Sequence, residues 1–488
     1  MKTLKRLLSV FAVVAMLLTM TVSANAATVT VDSNLNGHTF GYYQILSGTQ
    51  VAGDPSLGTP TWGSGIDVDD FLAELDDIAV FSTVTDAASF AEALAANTSY
   101  AEQVAKIAFN HKVGEPTTIA AGTTTIDAGY YLIVDTTTLS TGDAKNAALL
   151  QITEKDNIEI GYKTTKPTIE KTVNGKKLDD AYIGENLVME LTAKIPSMKD
   201  FTTYKVIFTD DAQDSFAAPS SMAIKLVGKS TGGVADTEVA VTSAAVNVTA
   251  PDFTITIDDV KALAVAGNLN VNEEVKVVVT YNTSLNAAAD LGNPGNANKV
   301  KLTYSAEPNT DETNDTAEKI VYVFTYELDG TKVNGNKTSE TLPGATFKLK
   351  NSAGQYYSVT AGIVSWVASE DDATVLTSGD DGLFRFSGVD TGTYTLVEVT
   401  PPTGYNKADD TEITITAEYS ETAITKLAIG TQEFDVTEGK VNVEVKNYKG
   451  ATLPETGGMG TTLFYVIGAA LVLGAGVVLV SKKRMAAK

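Results

Sequence analysis

Apolar and polar residues alternate along most of the chain from about residue 167 to residue 449. Short runs with an apolar side chain at every second position are separated by loops rich in Gly, Asn and Asp, and this pattern predicts many short β-strands. A polar, acidic stretch at 307–319 divides the strands into two blocks. The pattern therefore predicts two tandem β-sandwich domains of the immunoglobulin-like type, joined by a linker.

The first part of the chain, 27–162, has a mixed pattern. Strands are predicted in TVTVDSNL, GYYQILSG and AGYYLIVDTT, whereas DVDDFLAELDD and the alanine-rich DAASFAEALAANTSYAEQVAKIAFNHK predict helices. We expect an N-terminal mixed domain with a helical insert, in a chain whose fold class is mainly β.

The beginning of the chain carries a targeting pattern. Lys2, Lys5 and Arg6 precede an apolar run that ends in Ala-Asn-Ala at 24–26. A positive start, an apolar middle and a small-residue cleavage site are typical of a secretory signal peptide. We expect cleavage before Ala27 and export of the protein.

The other end combines a short motif, an apolar run and a basic tail. LPETG at 453–457 is followed by an uncharged apolar stretch at about 461–480, and roughly 20 such residues are what a transmembrane helix needs. The tail at 481–488 is basic, which favours the cytoplasmic side. The body is thus expected to face outward. The predicted order is signal peptide 1–26, N-terminal domain 27–162, β-sandwich 163–306, linker 307–319, β-sandwich 320–449 and sorting signal 450–488.

Composition narrows the classes of function. The chain has no cysteine and two histidines, so disulfides and cysteine-ligated metal sites are excluded and a histidine-based metal site is disfavoured. The formal net charge of −24 disfavours nucleic acid and anionic lipid as partners. We expect no metal and no cofactor, and a soluble extracellular body.

Three polar residues of the last domain fall on apolar faces. Glu398 lies in the middle of YTLVEVTPPTGY and shares a face with a tyrosine and a leucine. Lys332 lies an even number of positions after the apolar residues on one face of the domain's first strand. It therefore falls on that face, unless a bulge at Gly330 breaks the register. Asn447 continues a face of three valines in the last strand. The alternative is an edge strand whose Glu398 points at water.

The preceding domain repeats this arrangement. Lys171 in TIEKTV, Asp210 in YKVIFTDD and Asn298 in NANKVKLTY each share a face with apolar neighbours. Solvated strand ends are the competing interpretation for the lysine and the asparagine. The first domain lacks the set, because the lysines between 27 and 160 lie outside an opening strand; they are Lys106, Lys112, Lys145 and Lys155.

Such a set of side chains has a chemical meaning if its members meet. Burial of a lone charged group is costly, and it lowers the pKa of a lysine and raises that of a carboxyl. A neutral amine is then a nucleophile, and a protonated carboxyl polarises the asparagine carbonyl and moves protons. The expected products are two Lys–Asn amides, formed with loss of ammonia. Their members are Lys332 and Asn447 with Glu398, and Lys171 and Asn298 with Asp210.

These features resemble the major, or backbone, pilins that sortases assemble on Gram-positive bacteria. The LPxTG signal of that family is matched by Leu453, Pro454, Glu455, Thr456 and Gly457. YTLVEVTPPTGY is similar to the family's E-box, YxLxETxAPxGY, with Val399 in place of Thr and Pro401 in place of Ala. The resemblance implies collagen-adhesin-type domains with intramolecular isopeptide bonds, the second domain closer to the A type and the third to the B type.

The resemblance also implies partners and a location. A sortase would cut between Thr456 and Gly457 and join the threonine to an amine. The family's Tyr-Pro-Lys motif is matched by Lys163 in IEIGYKTTKP, which lacks the proline, with Lys166 in reserve. A lysine of a neighbouring copy would extend a pilus shaft, whereas peptidoglycan or a basal pilin would anchor it. A tip pilin and a host ligand are further possible partners, and the protein would be secreted, wall-anchored and exposed at the cell surface.

Two other functions stay open at this point. The first is a monomeric wall-anchored adhesin whose N-terminal domain binds a host or matrix ligand. The second, a surface hydrolase, is disfavoured because GxSxG and HExxH are absent from the sequence. His38 and His111 show no evident partner set in the sequence either. We therefore expect a substrate of sortase that modifies only itself, rather than an enzyme.

Overall fold

The computed structural model describes residues 27–31, 35, 37–50, 57–120, 123–152, 158–160, 166–450 and 460–485. The predicted signal peptide 1–26, Lys163 and the motif at 453–457 lie outside the described residues.

The N-terminal domain combines small sheets with helices, as the mixed pattern predicted. Its elements are β1 Ala27–Val31, β2 Phe40–Gln50, β3 Leu57–Trp62, α1 Val68–Leu75, α2 Ala87–Ala96, α3 Ala101–Asn110, β4 Thr117–Ile119, β5 Thr123–Ile126, β6 Gly129–Asp135, β7 Leu149–Ile152 and β8 Ile158–Ile160. One sheet has the order β5-β1-β8, and the other has the order β3-β2-β6-β7 with β4 on β2. The helices cover the second sheet around a core that includes Phe71, Phe90 and Val104.

The alanine-rich segment at 86–112, which was predicted to be helical, forms two helices, α2 and α3. Asp86 caps α2, since its side chain accepts from the Ser89 N–H and the Ser89 side chain bonds back to the Asp86 backbone. The helix stops at Asn97, which leaves the helical conformation at φ −133° and ψ 51°. A short 3₁₀ turn at Thr98–Tyr100 then leads into α3.

The second domain is a β-sandwich whose two sheets face each other across the core. Its elements are β9 Thr168–Val173, β10 Leu178–Asp180, β11 Leu187–Ile195, β12 Val206–Ala212, β13 Ser220–Lys229, β14 Asp236–Ala240, β15 Ala245–Thr249, β16 Asp252–Ile257, α4 Val260–Ala266, β17 Val275–Thr283, β18 Asn296–Ser305, β19 Thr313–Asp315 and β20 Lys319–Phe324. One sheet has the order β14-β13-β17-β11-β9. The other has the order β10-β20-β18-β12-β16-β15, with β19 on β18.

The boundary between the second and third domains differs from the expected one. Strand β20 was expected to open the third domain, but it pairs with β18 and β10 and so completes a sheet of the second. Part of the expected linker is ordered too, since β19 pairs with β18. The buried face of β20 also differs from the expected one, which had the parity of Lys332. Val321 and Val323 are buried in β20, while Ile320 is exposed. The chain crosses between domains at the fully buried Thr325.

The third domain is a second sandwich. Its strands are β21 Tyr326–Asn334, β22 Lys337–Thr341, β23 Thr346–Asn351, β24 Tyr356–Thr360, β25 Ile363–Val367, β26 Leu376–Thr377, β27 Leu383–Val389, β28 Gly392–Thr400, β29 Thr411–Tyr419, β30 Ile424–Ile429, β31 Gln432–Phe434 and β32 Lys440–Asn447. One sheet holds β22-β21-β27 with β32 on β21, and the other has the order β25-β24-β23-β28-β29-β30-β31 with β26 on β23. The first and last strands, β21 and β32, lie side by side and parallel.

The register of β21 against β32 is unbroken from Glu327 to Asn334, so no bulge interrupts it at Gly330. A glycine is needed there for a different reason. A Cβ atom on Gly330 would lie 2.0 Å from the ring of Phe384, which packs across the strand.

The C-terminal segment is helical. Helix α5 spans Gly460–Met485 and contains the apolar stretch at about 461–480. Within the described residues, no helix combines the length and the apolar character that a membrane crossing needs.

Candidate functional site

The second domain brings together the three side chains that the sequence singled out. Lys171 lies on β9 in one sheet, and Asp210 and Asn298 lie on the neighbouring strands β12 and β18 of the facing sheet. In all three strands the buried residues alternate with less buried ones, and each of these three occupies a buried position. The side chains of Lys171 and Asp210 are 0% and 1% exposed. The alternation of the sequence thus places three polar side chains in one apolar core.

The three groups are in direct contact. The Lys171 Nζ donates to Asp210 Oδ2 at 2.5 Å, to the Asn298 Oδ1, and to the backbone oxygen of Lys299 at 3.1 Å. The amine therefore lies against both the acid and the amide with which it would react. Reacting groups held together in this way gain much of the rate that a bimolecular encounter would lose.

Burial sets the charge state of this cluster. It lowers the pKa of Lys171 to about 8, although the neighbouring Asp210 opposes that shift. It also raises the pKa of Asp210, against the opposing effect of Lys171. Both shifts favour a neutral amine beside a protonated carboxyl, because desolvation disfavours charged forms.

Tyr281 is a fourth member of this cluster, which the sequence analysis missed. It lies on β17 and is 2% exposed. Its hydroxyl is 3.2 Å from both carboxylate oxygens of Asp210 and accepts from Asn298 Nδ2 at 3.1 Å. The inward parity that Tyr281 shares with the valines of VKVVVTYNT is the signal that could have found it.

The third domain gathers Lys332, Glu398 and Asn447, each 0–1% exposed. Lys332 and Asn447 lie on the parallel neighbours β21 and β32, whereas Glu398 reaches them from β28 in the other sheet. Asn447 Nδ2 donates to both Glu398 oxygens at 3.0 Å. The backbone N–H of Ala408 donates to Glu398 Oε2 at 2.6 Å. The alternative of a solvent-facing Glu398 is therefore wrong.

The lysine of this second cluster is held close to the end of β32. Lys332 Nζ donates to the backbone oxygen of Val445 at 2.7 Å. Burial lowers the pKa of Lys332 to about 8, and the charge of Glu398 opposes that shift. The Oδ1 of Asn447 is buried without a hydrogen-bond partner among the described residues. It is thus an amide oxygen with no competing donor.

The two clusters tie the sheets differently. A Lys171–Asn298 bond would join the two sheets of the second domain, because β9 and β18 belong to different sheets. A Lys332–Asn447 bond would join neighbouring strands of one sheet. In each domain, the bond would connect the opening strand with a late one.

Of the two linker lysines, only Lys166 is among the described residues. Its side chain is 51% exposed, and its Nζ lies 2.9 Å from Asp143 Oδ1. The amine is therefore at the surface, where the N-terminal and second domains meet. Tyr304 of β18 donates to the backbone oxygen of Asp143 at 2.7 Å across the same boundary.

The histidines have partners that the sequence did not reveal. His38 Nδ1 lies 2.8 Å from Asp135 Oδ2, and His111 Nε2 lies 2.6 Å from Glu74 Oε2. The Asp135 carboxylate also accepts hydrogen bonds from Asn146 and Thr137. The His111 pair joins α3 to α1, so each histidine has a structural contact.

Comparisons with known proteins agree with this picture. Residues 327–433 match the family model of the SpaA prealbumin-like fold domain, and residues 445–486 match that of the LPXTG cell wall anchor motif. A comparison with curated protein sequences found no significant match.

Solved structures of bacterial pilins are similar to this chain. The T6 backbone pilin of Streptococcus pyogenes, described as a modular three-domain structure, is 17% identical, with 88% of this chain and 100% of that chain covered and a TM-score of 0.54. The full-length major pilin SpaD of Corynebacterium diphtheriae is 19% identical over 88% and 98% of the two chains, with a TM-score of 0.49. The pilus 2b backbone protein of group B streptococcus is 25% identical over 58% and 99%, with a TM-score of 0.44.

The two family models match the third domain and the C-terminal sorting signal, and the T6 structure matches the fold. The chain is therefore a cell-wall-anchored surface protein with a SpaA prealbumin-like domain, and it has the mainly β, tandem-domain fold that its sequence predicted.

Proposed function

We propose that this protein is the shaft subunit of a covalently polymerised pilus, in which each of the two β-sandwich domains closes its own Lys–Asn isopeptide bond. The observation that carries the proposal is the pair of buried clusters, each with a lysine whose pKa falls to about 8, a carboxyl and an asparagine. Buried charges are costly, so two such clusters in tandem are hard to explain by packing alone.

The contacts around Lys171 support the following steps. The neutral Nζ attacks Cγ of Asn298, and Asp210 takes a proton from the amine while its own proton is passed toward the leaving nitrogen. The Cγ–Nδ2 bond breaks, and the nitrogen leaves with an added proton as ammonia. Lys171 and Asn298 are then joined by an amide, and Asp210 ends as it began.

In the third domain, the acid lies directly against the leaving nitrogen. The Asn447 amide directs its nitrogen at Glu398, at 3.0 Å. A protonated Glu398 can therefore give its proton to Nδ2 as that nitrogen leaves. Lys332 attacks Cγ of Asn447 and gives up a proton to Glu398, while the Cγ–Nδ2 bond breaks and the nitrogen leaves as ammonia.

Polymerisation is the second part of the proposal. A sortase cuts between Thr456 and Gly457 and transfers the threonine to a lysine of the next subunit. Lys163 is the first candidate, and the surface position of Lys166 makes it the second. The same transfer to peptidoglycan or a basal pilin would anchor the fibre. The chain is then a substrate of sortase and modifies only itself.

Replacement of the linker lysines tests polymerisation directly. Lys163→Ala and Lys166→Ala are expressed separately with the sortase, and wall extracts are run on a denaturing gel. We expect the high-mass ladder of the wild type to disappear in Lys163→Ala and to persist in Lys166→Ala. Loss of the ladder only in Lys166→Ala would transfer the role to that residue. A wild type that forms no ladder would favour a monomeric adhesin.

A further inference from the structure

Tyr281 lies in the second-domain cluster at a position from which it can take part in proton transfer. Its hydroxyl lies between the acid and the amide nitrogen, 3.2 Å from Asp210 Oδ1 and 3.1 Å from Asn298 Nδ2. Burial raises the pKa of Tyr281 well above its ordinary value, and the charge of Asp210 adds to this effect. The hydroxyl therefore keeps its proton at neutral pH and is able both to donate and to accept.

The orientation of the asparagine makes this position relevant. Lys171 donates to the Asn298 Oδ1, so the amide oxygen faces the lysine and the amide nitrogen faces the tyrosine. Amide nitrogen is a poor leaving group until it is protonated. A proton must therefore arrive at Nδ2, the atom that Tyr281 contacts.

We propose that Tyr281 is a catalytic residue of the second domain, which relays a proton from the Asp210 carboxyl to Asn298 Nδ2 as the bond with Lys171 forms. Nδ2 takes the hydroxyl proton of Tyr281 while the hydroxyl oxygen takes the proton of Asp210. The Cγ–Nδ2 electron pair leaves with the nitrogen, and Asp210 recovers a proton from Lys171 Nζ. This inference rests on the proposed isopeptide function and adds a specific residue to it.

The third domain differs from the second in the contacts of the leaving nitrogen. There the acid contacts the leaving nitrogen itself, since Asn447 Nδ2 lies 3.0 Å from both oxygens of Glu398. Proton transfer from Glu398 to that nitrogen needs no intermediate group. The third domain is therefore an internal control within the same chain.

The test follows bond formation by intact mass and peptide mapping. The mature chain and its Tyr281→Phe variant are recovered unfolded, refolded, and sampled over time for loss of ammonia at each pair. The phenylalanine keeps the ring that packs edge-on against Phe253 at 4.9 Å and removes only the hydroxyl. Tyr204→Phe, at a buried tyrosine of the same core, is the matched control.

We expect the Lys171–Asn298 bond to form about 10²–10⁴ times more slowly in Tyr281→Phe, the range that general acid catalysis usually contributes. The Lys332–Asn447 bond should form at the wild-type rate in the same molecules, and Tyr204→Phe should match the wild type at both pairs. An unchanged rate at Lys171–Asn298 would overturn the relay and leave direct transfer from Asp210. A wild type that loses no ammonia at this pair would instead overturn the proposed function.

A second measurement separates proton relay from positioning. Site-specific replacement of Tyr281 by a fluorinated tyrosine changes the acidity of the hydroxyl and keeps its hydrogen bonds. We expect the rate constant, and its pH profile, to change with the acidity of the phenol. A rate that is independent of phenol acidity would overturn the relay, and this holds even if Tyr281→Phe fails to fold.

Discussion

At the scale of the residue, the chemistry depends on two lysines that are buried among apolar side chains. Desolvation brings the pKa of both Lys171 and Lys332 to about 8, so a useful fraction of each amine is neutral near physiological pH. The contacts of the acid differ between the two clusters: Asp210 accepts from its lysine at 2.5 Å, and Glu398 accepts from the asparagine at 3.0 Å. Identical chemistry is thus expected from two different arrangements.

Asn298→Ala leaves Lys171 as a free amine and should change how stability depends on pH. The pKa of Lys171 in the folded state, about 8, lies below that of a lysine in the unfolded chain. Between these two values the unfolded chain binds more protons, so stability should rise with pH from about pH 8 to about 10. The wild type should lack this rise, because its Nζ would be an amide nitrogen. Urea unfolding at several pH values measures the difference, and equal slopes would contradict the account.

Much of this could be predicted at the residue scale, and some could not. Apolar and polar positions alternate regularly in the three strands that carry Lys171, Asp210 and Asn298. The position of each residue in that alternation predicted that it faces the core. Tyr281 was passed over because a tyrosine in an alternating strand is compatible with ordinary packing. The partner of His38, Asp135, is 97 residues away, and no local pattern encodes such a contact.

At the scale of the element, the third domain depends on the parallel pairing of its first and last strands. The register pairs Lys332 with Val445 and Asn334 with Asn447, which sets the lysine two positions from the asparagine along the sheet. The strands themselves could be predicted from alternation. The division of IVYVFTYEL between two domains could not, because apolar residues follow one another there and nothing marks Thr325 as the crossing point.

Gly330→Ala should weaken this pairing. The added Cβ would lie 2.0 Å from the Phe384 ring, so either the ring or the strand must move. We expect a loss of about 1–3 kcal/mol in the unfolding free energy, the usual cost of overpacking a core. Thermal unfolding measures it, and Phe384→Leu in the same chain should recover part of the loss by making room. A melting temperature equal to the wild type would show that the packing across Gly330 is not tight.

At the scale of the whole molecule, the proposed bonds lie where force would pass. A subunit pulled between the linker lysine and Thr456 would carry tension through Lys171 to Asn298 and then through Lys332 to Asn447. The chain between each pair, 172–297 and 333–446, would be relieved of load. A protein without cysteine would thus obtain the cross-links that disulfides supply elsewhere.

The junction between the second and third domains should depend on pH. Burial, and next the charge of Asp390, raise the pKa of Glu185 to about 7. The folded state then keeps its proton longer than the unfolded chain, so stability should fall as pH rises from about 4.5 to about 7 and level off above. Glu185→Gln should remove this fall, whereas the exposed Glu190→Gln should keep it. Melting temperatures across this range measure it, and an unchanged fall in Glu185→Gln would contradict the assignment.

The intact mass of the folded mature chain tests the central claim most directly. The account predicts a mass lower than the sequence mass by two ammonia molecules. Glu398→Ala should restore one of them and Asp210→Ala the other, while Glu444→Ala, at an exposed position of β32, should restore neither. Peptide mapping should find Lys171 joined to Asn298 and Lys332 to Asn447. A wild type with the full sequence mass would contradict the account.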